Sequence, residues 1–163
     1  MKKLFLIRHA KSSWEDLRLD DFDRPLNKRG EKDAPFMAEL LKEKNIIPDL
    51  IISSPSLRTK LTAEIIAEKI GFIDKISFDK TIYEAPLSSL KKVVHNIDNS
   101  FNTIFFIGHN PGLCDLANSL CDLEIENIPT CAIVEIDFDT NSWKDISKEN
   151  STLISFESPK KYK

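Results

Sequence analysis

The sequence predicts an α/β fold, a three-layer α/β/α sandwich around a mostly parallel sheet. Three observations carry that expectation. Apolar runs without polar alternation recur at 3–8, 49–54 and 102–109, as in strands buried on both faces. Stretches of helical periodicity separate them, so that strand and helix alternate along the chain. The last two strand-like runs, 131–139 and 151–156, are joined through a segment that opens on the turn "DTNSW", which suits antiparallel strands at an edge.

Taken in order, the first strand is 3–8. Residues 28–44 read as a helix, with Ala34, Met37, Leu40 and Leu41 at helical spacing and Asn27 as N-cap. Pro35 should bend that helix or mark its true first turn. "DLIISS" (49–54) is a second strand, and 55–71 is a helix closed by Gly71, with Leu57, Leu61, Ile65, Ile66 and Ile70 on one face. "KISFD" (75–79) is a short strand. Residues 87–97 form a helix with Leu87, Leu90, Val94 and Ile97 inward. After the strand at 102–109 comes a helix at 111–121, then "CAIVEIDFD" (131–139), alternating as a strand with one wet face, and "STLISF" (151–156). The tail "ESPKKYK" reads as a loosely held end.

The 163 residues fit one domain, 1–163, long enough to bury a core. Hydrophobic residues make up 41 % and charged ones 30 %, an ordinary globular mix. The formal charge is −3 with Lys and Arg scattered, which argues against nucleic-acid and membrane-surface binding. Cys114, Cys121 and Cys131 lack zinc-site spacing and are expected as reduced thiols in a cytosolic core. "MKKLFLI" meets charge too early for a signal peptide, and no run reaches the roughly 18 apolar residues of a membrane span. A cytoplasmic monomer is expected.

Three apolar strands each end in a polar signature: Arg8-His9, "SSPSLR" carrying Arg58, and "GHNPG" carrying His109. In an open parallel sheet, ligands sit beyond the carboxyl ends of the strands. Ser54-Pro55 and Asn110-Pro111 each resemble an N-cap followed by a first-turn proline, so two helix starts should also face the crevice. Two arginines, two histidines and two helix starts describe a pocket for a dianionic oxyanion, phosphate above all.

The blocks "LIRHAKSSW", "DFDRPLNKRG", "SSPSLRTKLTAEII", "YEA" and "FIGHNPG" together resemble the histidine phosphatase superfamily, and within it the small SixA-type phosphohistidine phosphatases. The resemblance runs from residue 3 to about residue 138. The wider superfamily usually has glycine after Arg-His. This chain has Ala10, a change the SixA-type branch tolerates. The chain is also short, without room for the large helical insertion of bigger members.

The resemblance implies a phosphatase in which His9 is the nucleophile and Arg8, Arg58 and His109 hold the phosphoryl oxygens, with Asn110 adding a backbone N–H. It matches Glu84 to the acid that protonates the leaving group and then activates water; a surface glutamate in a loop is the alternative. No cofactor or metal is implied, because guanidinium and imidazole groups supply the positive charge. The substrate is a protein phosphohistidine or a small phosphorylated molecule. A non-catalytic module that binds phosphorylated partners is the reading from another class. Of the remaining residues, Lys11, Ser12 and Trp14 follow the nucleophile and are placed to contact substrate, with Trp14 expected as a packing or lid residue. Asp23, Arg24 and Asn27 are read as structural, Arg24 bracing the loop. Arg58 taken alone would pair with Glu64, and His95 is read as structural.

Overall fold

In the computed structural model, which describes all 163 residues, the first apolar run becomes β1 (Lys2–Arg8). It pairs in parallel with β4 (Thr103–Gly108) on one side and antiparallel with β5 (Ile133–Phe138) on the other. The lack of polar alternation is explained by what flanks it. Leu4 and Leu6 point into one apolar cluster and Phe5 and Ile7 into another, all at most 1 % exposed.

The remaining elements are α1 (Lys28–Glu43), β2 (Leu50–Ser53), α2 (Leu57–Ile70), β3 (Ser77–Phe78), α3 (Leu87–His95), α4 (Gly112–Cys121) and β6 (Ser151–Glu157). The sheet order is β3-β2-β4-β1-β5-β6. The first four are parallel, and β5 and β6 are the expected antiparallel pair at one edge. Helices α1 and α2 close the cluster containing Phe5 and Ile7, and α3 and α4 close the one containing Leu4 and Leu6. The result is the three-layer sandwich. Its four helices all pack on the sheet, and none forms a large helical insertion. No helix is long and apolar enough to cross a membrane.

Several local expectations are corrected. The helix α1 runs unbroken through Pro35. Ala34, Met37, Ala38 and Leu41 bury its inner face against the sheet, and tertiary packing of this kind outweighs the lost hydrogen bond. On α2, Leu57, Leu61 and Ile65 are only half-buried; the inner face is Thr59, Thr62, Ala63, Ile66, Ala67 and Ile70. Small residues there let α2 lie close to its neighbours. The strand at 75–79 shrinks to two exposed residues at the sheet edge, where only β2 can pair with it. The helix α3 stops at His95, although Ile97 remains buried. The tail is held, not loose. A 3-10 turn at Pro159–Tyr162 sets Tyr162 edge-to-face against Phe36 of α1, with Pro159 buried.

Asn27 does cap α1, accepting the Gly30 N–H at 2.9 Å. Gly30 is required by a close approach: a Cβ there would collide with the backbone carbonyl of Lys11. The start of α1 therefore clamps the loop that follows His9.

Candidate active site

β1, β4 and β2 are neighbours, and their carboxyl ends lie in register, Arg8 opposite Gly108 and Ile107 opposite Ser53. The next residues, His9 and His109, leave the sheet side by side, with ring centroids 5.4 Å apart. Arg58, in the first turn of α2, reaches them from the β2 side. Its Nη2 donates to His109 Nδ1 at 3.4 Å. The predicted convergence of strand ends follows from the strand order.

His9 is buried. Its Nδ1 lies 2.8 Å from the Ala10 carbonyl. A carbonyl only accepts, so Nδ1 carries the proton and Nε2 keeps its lone pair. Burial lowers the His9 pKa to about 3, helped by His109, Arg58 and Arg8 and opposed by the Ala10 bond. Backbone bonds from His9 N–H to Gly108 and from Cys131 N–H to the Arg8 and His9 carbonyls fix the main chain here. Ala10 N–H donates to Thr62 Oγ1 of α2 at 3.0 Å. Ala10 is fully buried and has no positive φ, so its methyl is accommodated without backbone strain.

His109 is set as the other tautomer. Its Nδ1 accepts from Arg58, so Nε2–H donates to Ser54 Oγ at 2.8 Å. Burial lowers its pKa to about 4; Arg58 and Arg8 add to this and Asp21 opposes it. The free site thus holds two neutral imidazoles, and its positive charge comes from the arginines alone.

Buried neutral imidazoles tie stability to pH. Both groups ionise near 6.5 when unfolded, and at about 3 and about 4 in the fold. Between those values the unfolded chain binds more protons, so acid favours unfolding. Melting temperature is expected to hold above pH 7 and to fall from about pH 6.5 towards pH 4. The loss is roughly 1.4 kcal/mol per pH unit for each imidazole below its unfolded pKa. Thermal melts at constant ionic strength check this, and a flat profile would contradict the neutral pair.

The helix starts differ from expectation. Ser56, not Ser54, flanks α2, and its side chain makes no cap bond. Ser54 Oγ instead accepts from His109 and from the Ser56 N–H. Pro111 stands at the α4 cap position. Asn110 is not a cap: its Nδ2 donates to Asn127 Oδ1 at 3.0 Å and to the Ile128 carbonyl at 2.9 Å. That same carbonyl accepts from Arg8 Nη1 at 2.9 Å. Asn110 thus anchors the loop that orients Arg8. Arg8 Nε and Asn110 Oδ1 are buried without partners, and an oxyanion would satisfy the orphaned Nε–H.

Arg58 pairs with Asp21 and not with the exposed Glu64. Nη1 donates to the Asp21 carbonyl at 2.7 Å and Nη2 to its Oδ2 at 3.0 Å. Asp21 also accepts from Arg24 at 2.9 Å and from Tyr83 Oη at 2.6 Å. Burial raises its pKa, but Tyr83, Arg58 and Arg24 outweigh this and bring it to about 2. Burial and the Asp21 bond push the Tyr83 hydroxyl up. Asp21 and Tyr83 were missed from the sequence. Nothing separates Asp21 from Asp20 or Asp23 except the fold, and Tyr83 beside Glu84 reads as a loop residue.

Glu84 is exposed and lines, with Arg58, Tyr83 and His109, a cavity of about 550 Å³. Its φ is 52°, a left-handed conformation uncommon for a side chain of this size and enriched at functional sites. Arg24 braces the loop as expected, bonding Asp21, the Ser13 carbonyl and Ser12 Oγ. Trp14 is 64 % exposed with the Arg24 guanidinium stacked on its ring, so it covers the brace and packs into no core. Asp23 flanks that brace in a 3-10 turn, and Lys11 is half-buried beside the site. His95 lies on α3, away from these residues. The three cysteines are free and buried. No group of three or more His, Cys, Asp or Glu side chains is arranged to hold a metal ion.

Residues 4–103 match the model of the histidine phosphatase superfamily, branch 1. An uncharacterised chloroplastic protein of Arabidopsis thaliana is 34 % identical over 153 residues, covering 88 % of this chain and 70 % of that protein. Phosphoglycerate mutase 1 of Saccharomyces cerevisiae is 39 % identical over 71 residues, but the match covers only 42 % of this chain and 29 % of the yeast enzyme. The structure of the protein histidine phosphatase SixA complexed with tungstate superposes with a TM-score of 0.84 at 21 % identity, covering 99 % of each chain.

Proposed function

The chain belongs to the histidine phosphatase superfamily, and on that premise we propose that it hydrolyses phosphohistidine on a protein through a phosphohistidine formed on its own His9. The observation that carries this reading is the His9 tautomer. With Nδ1–H committed to Ala10, the Nε2 lone pair is free to attack phosphorus in line. As the Nε2–P bond forms, the P–N bond of the substrate breaks, and the leaving imidazole takes a proton from the Glu84 carboxyl. Water then attacks the phosphoenzyme, the Glu84 carboxylate accepts its proton, and the P–Nε2 bond breaks to release phosphate.

Arg8 and Arg58 meet the charge spread over the equatorial oxygens, which is most of what phosphoryl transfer asks of a protein. An oxygen beside His109 Nδ1 needs a proton there, and the bound dianion draws one on by raising the His109 pKa. The guanidinium groups supply the positive charge that a metal would otherwise bring.

The match to a phosphoglycerate mutase favours a second reading, a phosphatase of small phosphorylated metabolites. Initial rates on a phosphohistidine protein and on sugar phosphates, each with and without EDTA, separate them. The phosphohistidine protein is expected to be preferred and EDTA to leave the rate unchanged. Preference for a sugar phosphate would select the second reading, and strong EDTA inhibition would remove the metal-free mechanism.

A further inference from the structure

Asn110 lines the cavity of the candidate site, and its hydrogen-bond partner Asn127 lines a second hollow next to it, of about 370 Å³. Arg8 lines this second hollow too. Around Arg8 stand Lys11, Arg29, Lys160 and Lys163, five cations against the one carboxylate of Asp33. Apart from two prolines, no aliphatic or aromatic side chain contributes. Asp33 is spent on its neighbours: its buried carboxylate lies 3.7 Å from Arg29 Nε and 3.4 Å from Lys163 Nζ. Lys11 and Lys160 are left without a carboxylate. A concentrated positive hollow is unexpected on a chain of formal charge −3.

A small organic ligand does not suit such a wall, because small-molecule pockets are mostly apolar with a few placed polar groups. The cations stand on long, half-exposed stems, which fits carboxylates presented by a polypeptide. The geometry points to an anion-binding subsite: this hollow receives acidic side chains of the phosphorylated protein while the phosphohistidine lies at His9. The inference rests on the phosphoprotein reading above and gives it a sequence preference, acidic residues flanking the phosphorylated histidine. Attraction at exposed cations acts chiefly on encounter and is screened by salt, so the preference should weaken as ionic strength rises.

Two phosphohistidine peptides, identical except for Glu/Asp or Gln/Asn flanks, test this on the full chain. Free phosphohistidine serves as the unflanked substrate. Wild type is expected to favour the acidic peptide roughly tenfold in kcat/KM at low salt. The Arg29→Gln, Lys160→Glu double variant should lose that advantage while hydrolysing free phosphohistidine at the wild-type rate, which also reports that it has folded. No advantage in wild type, or an advantage that survives in the variant, overturns the subsite. A rate loss confined to bisphosphorylated metabolites would make the hollow a small-ligand site and overturn it equally. Failure to cleave either peptide, with metabolite phosphatase activity intact, would instead sink the phosphoprotein reading and the subsite with it.

Discussion

Replacing His9 with alanine is expected to lower turnover by at least about 10⁴-fold, because it removes the atom that forms the covalent intermediate. Brief exposure of wild type to labelled substrate should trap a phosphoprotein that is stable in base and labile in acid, and His9→Ala should trap none. The variant is expected to fold. Apart from the lost Nδ1 bond to Ala10, residue 9 is fixed by its backbone, whose N–H donates to Gly108 and whose carbonyl accepts from the Cys131 N–H, and these bonds survive the change. It should also lose less stability than wild type between pH 6.5 and pH 4, since one of the two depressed imidazoles is gone. A variant that melts normally and still turns over would remove His9 from the chemistry and leave a phosphate-binding pocket without a nucleophile.

The sequence made the convergence of His9, His109 and Arg58 legible because strand ends are marked twice. The apolar run shows where a buried strand stops, and the residue after it shows what is delivered there. That logic also needs the three strands to be neighbours; alternation of strands and helices makes the sheet parallel, but the central β2-β4-β1 order is set by the fold and was not legible. Features that depend on side-chain competition were not legible. Ser54 and Asn110 have the right residue types and the right prolines for caps, yet each side chain found another partner, His109 in one case and the 127–128 loop in the other. Asp21 is one of three acids in four residues, and only the placement of its 3-10 turn against α2 brings it to Arg58. The inner face of α2 was misplaced for a related reason. Periodicity weighs large apolar residues, but a helix held close to its neighbours is selected for small ones.

Arg58→Ala is expected to cost about 10³-fold in kcat/KM, the scale on which a guanidinium stabilises phosphoryl-transfer charge. Lysine should not rescue it. Arg58 holds the Asp21 carbonyl and carboxylate with two nitrogens while a third contact reaches His109 Nδ1, a planar fork that a point charge cannot reproduce. Asp21→Asn separates position from charge. It keeps one acceptor oxygen, for Arg24 or for Tyr83 but not for both, and removes the negative charge that both orients Arg58 and repels an incoming dianion. Its kcat should fall by roughly tenfold, as Arg58 loses its tether, while KM stays level or drops as the repulsion is lifted. Steady-state kinetics on one phosphohistidine substrate decide the matter. A loss below tenfold in Arg58→Ala would mean that Arg8 alone carries the phosphoryl charge. An unchanged kcat in Asp21→Asn would mean that the fold of α2, and not the carboxylate, aims the guanidinium.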